Sequence, residues 1–383
     1  MIQKPSLEPS HGPRRDPELV DAGRRRLVSA LAFTPLVAAL GSCSASSNPG
    51  PPPPAPIPTR TWKMGFSPNP SRPDAATLLR GVDQWSTRSE LAALHDEMPW
   101  TDLLAGQSAE SVLARDKVPL ATYLRGKGLQ LMFVADLTDG LSRGEEAPQL
   151  RKLGRSISEP SVQRVYRDYV LAAARILRPE ILALAAETNL TRALAPSLYA
   201  AEVQAANAAA ADLHGAQSSA TLVVSVQVET AWGWLSGSGA FVGIATDLAD
   251  FPFIQMLGLS SYPYFAYAQP EDLPPDYYSR LLAGRSLPAL VTEGGWASAS
   301  AGNITSSPEK QARYLPVQAR LLDSINARGL IQLLYADIDL SSWPPPIPAN
   351  LPLFTSIGLT DSDFHAKPAL TAWDSLHSRK LVQ

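Results

Sequence analysis

The chain has 383 residues, 45% of them hydrophobic, and a formal net charge of −3. That length holds one large domain or two ordinary ones, and a near-neutral charge without a basic stripe in the C-terminal part argues against nucleic acid as a partner. The only cysteine, Cys43, rules out an intrachain disulfide, and the five histidines (His11, His95, His214, His365 and His377) show no metal-ligand spacing, so neither a metal nor a cofactor is expected.

Residues 1–43 read as a signal peptide. Arg24, Arg25 and Arg26 precede the apolar stretch LVSALAFTPLVAAL, which is short for a bilayer span and ends in Gly41-Ser42-Cys43. Leu40, Gly41, Ser42 and Cys43 resemble a bacterial lipoprotein box. That resemblance implies a lipidated Cys43, export, and a membrane partner reached through a lipid anchor on the periplasmic or cell-surface face. The arginine run also permits twin-arginine export. The alternative is a signal cleaved elsewhere, with Cys43 incidental. Residues 44–60, SASSNPGPPPPAPIPTR, form a Pro-rich spacer that cannot bury a core.

From residue 61 to 383 short apolar runs alternate with helical stretches. The runs are TWKMGFSPN (61–69), ELAALHDEMPW (90–100), LQLMFVADL (129–137), EILALAAETN (180–189), ATLVVSVQVE (220–229), IQMLGLSSYPYF (254–265), LPALVTEGGW (287–296) and LIQLLYADIDL (330–340). Helices are predicted over 160–178, over the alanine-rich 196–215, over 308–327 with Ser306 or Ser307 as cap, and over 367–379. Eight such alternations predict a (β/α)8 TIM barrel as a single domain after the leader and spacer. An open doubly wound sheet is the other architecture, but no GxGxxG or GxxxxGKS loop supports a nucleotide site.

The runs are apolar in their bodies and polar at their ends, where a barrel carries its active site. Glu187 ends the fourth run and Glu293 the seventh, on opposite sides of an eight-stranded mouth. An acid in such a place is costly to bury without a partner or a task. Two carboxyls across a cleft are the usual equipment of glycoside hydrolysis. His95 and Asp96 end the second run, Glu229 ends the fifth with Trp232 beyond it, and Tyr335 lies in the eighth.

Three segments carry a resemblance to the clan of retaining (β/α)8-barrel glycoside hydrolases, galactanase-like members above all, over roughly residues 61–380. TEGGW resembles the nucleophile strand, which implies Glu293 as nucleophile. AAETN places Glu187 at the acid/base position. SSYPYF resembles the sixth-strand segment whose tyrosine, here Tyr262, orients the nucleophile. The clan's asparagine before the acid/base is replaced by Ala186, with Asn189 the nearest asparagine. The resemblance implies hydrolysis of a polysaccharide or oligosaccharide by a two-glutamate retaining mechanism. Asn189, Tyr262, Trp296, Tyr335, His95, Asp96, Glu229 and Trp232 are the expected substrate contacts. Ala186 also fits a non-catalytic carbohydrate-binding envelope lipoprotein, and an envelope scaffold with vestigial acids is a third reading.

Overall fold

In the computed structural model, which describes residues 58–235 and 239–382, the eight apolar runs pair in parallel around a closed ring. The strands are β1 (Lys63–Phe66), β2 (Leu91–Glu97), β3 (Gln130–Asp136), β4 (Ile181–Ala183), β5 (Thr221–Gln227), β6 (Met256–Ser261), β7 (Ala289–Gly294) and β8 (Ala327–Gln332). β8 returns to β1, with Lys63 opposite Gly329 and Phe66 opposite Gln332, so the sheet has no edge. The fold is the expected (β/α)8 barrel, and the open sheet is excluded.

Side chains on a strand alternate between its two faces, and here each face is apolar for a different reason. Leu91, Met132, Val134, Val223, Leu290 and Ile331 fill the lumen. Their neighbours Leu94, Leu131, Phe133, Leu222, Val291 and Leu330 meet the outer helices. Burying each large aliphatic side chain contributes roughly 1.5–3 kcal/mol, so both faces hold the barrel closed.

The helices follow from local signals. Pro160–Leu177 starts on a proline at its first position and buries Val162, Tyr166, Tyr169, Val170, Ala173 and Leu177. Pro196–Gly215 buries Ala205, Ala206, Ala209 and Ala210, small residues that let it lie close to its neighbour. Pro308–Asp323 is capped by Ser307, whose Oγ accepts the Lys310 amide at 3.3 Å.

Two boundaries differ from expectation. β8 starts at Ala327, absorbing the end of the predicted 308–327 helix. Gly329 is no break but a lumen position, where Leu91 and Leu290 close over the missing side chain. The fold also begins before residue 61. Thr59–Arg60 pairs in parallel with Lys380–Leu381, and the buried Arg60 binds Glu90. Cys43, the signal stretch and most of the spacer lie outside the described residues. Among the described residues no helix is long and apolar enough to cross a membrane.

Candidate active site

Toward the C-terminal ends of the strands the same alternation delivers polar side chains. After Leu91 and Ala93 the next lumen position on β2 is His95. After Met132 and Val134 on β3 it is Asp136, and on β6 the row Met256, Gly258 ends in Ser260. β7 departs from the alternation. Leu290 and Thr292 hold lumen positions, so Glu293 is due to face the helices. The register shifts instead: Leu259 opposes Val291, but Ser260 opposes Glu293. One extra residue in β7 makes a β-bulge and turns Glu293 into the mouth. Beyond it, a Cβ on Gly294 would collide with the Ser261 carbonyl, which accounts for glycine there.

Glu187 arrives differently. β4 ends at Ala183, and Leu184–Ala186 stay docked on β5: the Leu184 amide donates to Val223 O at 3.0 Å and the Ser225 amide to Ala185 O at 3.1 Å. Glu187 then adopts φ 52°, ψ 40° at the start of the helix Thr188–Leu194. A non-glycine residue in this left-handed region costs about 1–3 kcal/mol. Its amide is held by Ser225 Oγ at 3.0 Å. Ala186 packs in the lumen cluster with Ala183 and Val223, so no amide stands immediately before the acid.

The two glutamates share one buried array. Ser260 Oγ donates to Glu187 Oε1 at 2.6 Å and lies close enough to Glu293 to lower its pKa. Arg143, from the loop after β3, donates from Nε to Glu187 Oε2 at 2.8 Å. Its Nη1 reaches both Asp136 oxygens at 2.8 and 2.7 Å. His95 Nε2 meets Asp136 Oδ2 at 2.8 Å, and Nδ1 lies 3.4 Å from Glu293 Oε2. A chain of contacts thus runs from Glu293 through His95, Asp136 and Arg143 to Glu187.

The environments push the two acids apart. Burial raises the pKa of Glu187; Arg143 opposes this, and the negative charge of Glu293 adds to it, so the result is a raised value. Burial also acts on Glu293, but His95 and Arg143 outweigh it and hold the carboxyl below its usual range. His95 is lowered by burial and raised more strongly by Asp136 and Glu293, to about 10. Asp136 is held well below the ordinary range because Arg143 and His95 outweigh its burial. The array therefore sets Arg143 and His95 against Asp136 and Glu293, and of the two glutamates Glu187 holds its proton to the higher pH.

The other expected contacts fare unevenly. His95 and Tyr262 line the cavity with the acids. It is His95 that pairs with Glu293, and the Tyr262 ring packs edge-on against Phe354. Asn189 is occupied elsewhere: its amide donates to Gln227 O at 2.9 Å and its carbonyl accepts the Gln227 amide at 2.7 Å, so it ties the Glu187 loop to β5. Glu229 is sealed away, accepting from Tyr277 Oη at 2.6 Å, the Tyr262 amide at 3.1 Å and the Gln227 side chain. Trp232 stacks on Tyr277 and donates to its carbonyl. Trp296 is buried against Tyr264 and Tyr314, with its ring nitrogen on Ser306. Tyr335 lies past β8 and turns outward, onto Phe66 and toward Arg88 and Gln84. None of these five lines the cavity. The Asp96 side chain lies outside the described residues. Arg143 is the participant that sequence reasoning passed over, whereas Asp136 stands among the polar residues that end the apolar runs. The period-2 step from Met132 and Val134 pointed to Asp136, whereas nothing in the loop SRGEE marked Arg143.

The cavity over the array measures 510 Å³, within the usual range for small-molecule sites. A larger groove of 890 Å³ lies at the other end of the barrel, lined by residues that precede β4 and β5 such as Arg178, Pro179, Ser218 and Ala220, away from the paired acids. Among the described residues no cluster of His, Cys, Asp and Glu is arranged to hold a metal.

No protein-family model matches the sequence, and no curated protein does. Solved structures are similar in fold. A GH5_18 protein from Bifidobacterium longum subsp. longum ATCC 55813 has a TM-score of 0.61 at 15% identity, over 85% of this chain and 81% of that one. The exo-beta-1,4-mannosidase Op5Man5 from Opitutaceae bacterium strain TAV5 gives 0.60 at 17%, over 84% of this chain and 59% of that one. A beta-glucosidase, 1317, gives 0.56 at 14%, over 80% and 88%. At these identities the likeness establishes the barrel fold.

Proposed function

We propose that the chain is a glycoside hydrolase in which Glu293 is the nucleophile and Glu187 the acid/base. The observation that carries this reading is the placement of both glutamates in a single cavity among different partners, Arg143 and Ser260 on Glu187 and His95 on Glu293, which raises the pKa of the first and lowers that of the second. A Glu293 oxygen bonds to the anomeric carbon as the bond to the leaving oxygen breaks, and that oxygen takes the Glu187 proton. Glu187, now anionic, then removes a proton from water, whose oxygen displaces Glu293. The approach of both carboxyls to Ser260 favours this retaining course, which uses a spacing of about 5–5.5 Å, over the wider spacing of about 6.5–9.5 Å used for inversion. Similarity in fold to the mannosidase and the glucosidase agrees with the reading. Export as a lipoprotein anchored through Cys43 at a periplasmic or cell-surface membrane face belongs to the same proposal and rests on the leader sequence.

The test is hydrolysis of a panel of β-glycosides, with the anomer first released identified by NMR. Retention that disappears in Glu187→Gln and Glu293→Gln supports the assignment, and undiminished turnover in either variant overturns it. The buried Arg143 pair on Glu187 favours a second reading, a carbohydrate-binding lipoprotein whose acid is locked. That reading predicts sugar binding without turnover.

A further inference from the structure

The acid that protonates a leaving oxygen marks where the leaving group lies, and the chain continues from Glu187 directly into the helix Thr188–Leu194. Leu190 and Leu194 follow the acid by three and seven positions, so they share one face of that helix, and both line the cavity. Leu141, from the loop after β3, and Leu235, beyond β5, line it as well. The Leu141 carbonyl accepts a hydrogen bond from the Asn350 side chain of the segment after β8. That bond joins two loops across the β1–β2 side of the mouth, away from the segments after β4 and β5.

The segments after β4 and β5 are unusually apolar. Six large hydrophobic side chains stand exposed among the described residues, and four of them, Leu194, Trp234, Leu235 and Val242, belong to the segments after β4 and β5. Leu194 is 57% exposed and Leu235 is 40% exposed, and both are continuous with the cavity. Exposed apolar surface at a cavity rim marks a binding site. A sugar bound there needs partners for its hydroxyls, and branched aliphatic side chains offer none. Nor does any of the eight tryptophans line the cavity as a stacking platform.

From this placement we infer that the leaving group is an alkyl chain: the substrate class is a glycoside with a lipid-type aglycone, its sugar over the acids and its chain across Leu190, Leu194 and Leu235. This rests on Glu187 being the acid, as proposed above. A fully buried methylene changes affinity about fourfold, so even partial burial gives a graded series.

The experiment compares methyl, hexyl and octyl β-glycosides of glucose, galactose and mannose with the full-length chain, below their aggregation limits. Both kcat/KM and calorimetric affinity are measured, alongside the double variant Leu194→Ser, Leu235→Ser. Each result is the octyl-to-methyl ratio within one preparation, so it does not depend on the yield of folded protein. The expected ratio is at least about tenfold in the native chain and below about threefold in the variant. Hydrolysis without chain-length dependence would overturn the alkyl aglycone and leave the hydrolase standing. No hydrolysis of any sugar, with affinity that still rises with chain length and flattens in the variant, would keep the alkyl site and remove the hydrolase. Neither hydrolysis nor chain-length dependence would remove both.

Discussion

Three buried glutamates lie at the mouth of this barrel, and two of them open onto a cavity while the third does not. Glu229 accepts hydrogen bonds from Tyr277, Gln227 and the Tyr262 amide, all neutral donors, in a compartment closed to the cavity. Burial lifts its pKa to about 7, against the pull of those donors. Glu187 and Glu293 sit among charged partners and open onto 510 Å³ of space. All three follow apolar strand-like runs. Access and the charge of the partners separate the pair proposed as catalytic from Glu229, and neither is a property of the residue or its local sequence.

The largest expected effect strikes the open pair. Glu293→Gln removes the proposed nucleophile and should lower kcat by at least roughly 10³-fold while the fold survives, as read by turnover and circular dichroism. Next is Arg143→Leu, which leaves Asp136 and Glu187 buried without their shared cation. The loss should be about 3–5 kcal/mol of unfolding free energy in urea.

His95 sharpens the comparison through pH. Its ordinary value is 6.5 and its folded value about 10, so its stabilisation is fully present below 6.5 and is lost as pH rises toward 10. The native protein should weaken across that window, and urea titrations at its two ends should find the slope reduced in His95→Gln. Activity should follow a bell, with Glu293 governing the acid limb and Glu187 the alkaline one.

The smallest effect belongs to the sealed acid. Glu229→Gln should change kcat/KM by less than about fivefold, because no reacting atom reaches it. Its pKa is raised on folding, so the native protein loses stability as pH climbs from the ordinary carboxylate range through about 7, a loss the variant should not show. A large loss of turnover in Glu229→Gln would erase the distinction between the two groups.

The barrel was legible in the sequence because its strands are buried on both faces and read as apolar runs between amphipathic helices. Both cavity acids were legible because each interrupts such a run with a charge. Asn189, Glu229, Trp232, Trp296 and Tyr335 looked alike as polar or aromatic residues near strand ends. Their side-chain directions depend on the exact strand limits and on contacts with distant loops. Tyr335 shows this: a β8 that begins at Ala327 and closes at Gln332 leaves it beyond the strand and outside the mouth. Arg143 was illegible because a loop residue gains its role only when β2, β3 and β4 are assembled around it.

The bulge in β7 bears on how the proposed chemistry could be lost. On that proposal a point substitution at Glu293 silences the site and leaves a sound scaffold. Deleting one residue between Leu290 and Glu293 would remove the bulge and leave the carboxylate two positions from Leu290, so even alternation would still aim it into the lumen. Keeping the length while pairing Ser260 with Thr292 would instead turn Glu293 toward the layer of Ala289 and Val291. The direction of this acid is thus a property of strand register as much as of the residue itself.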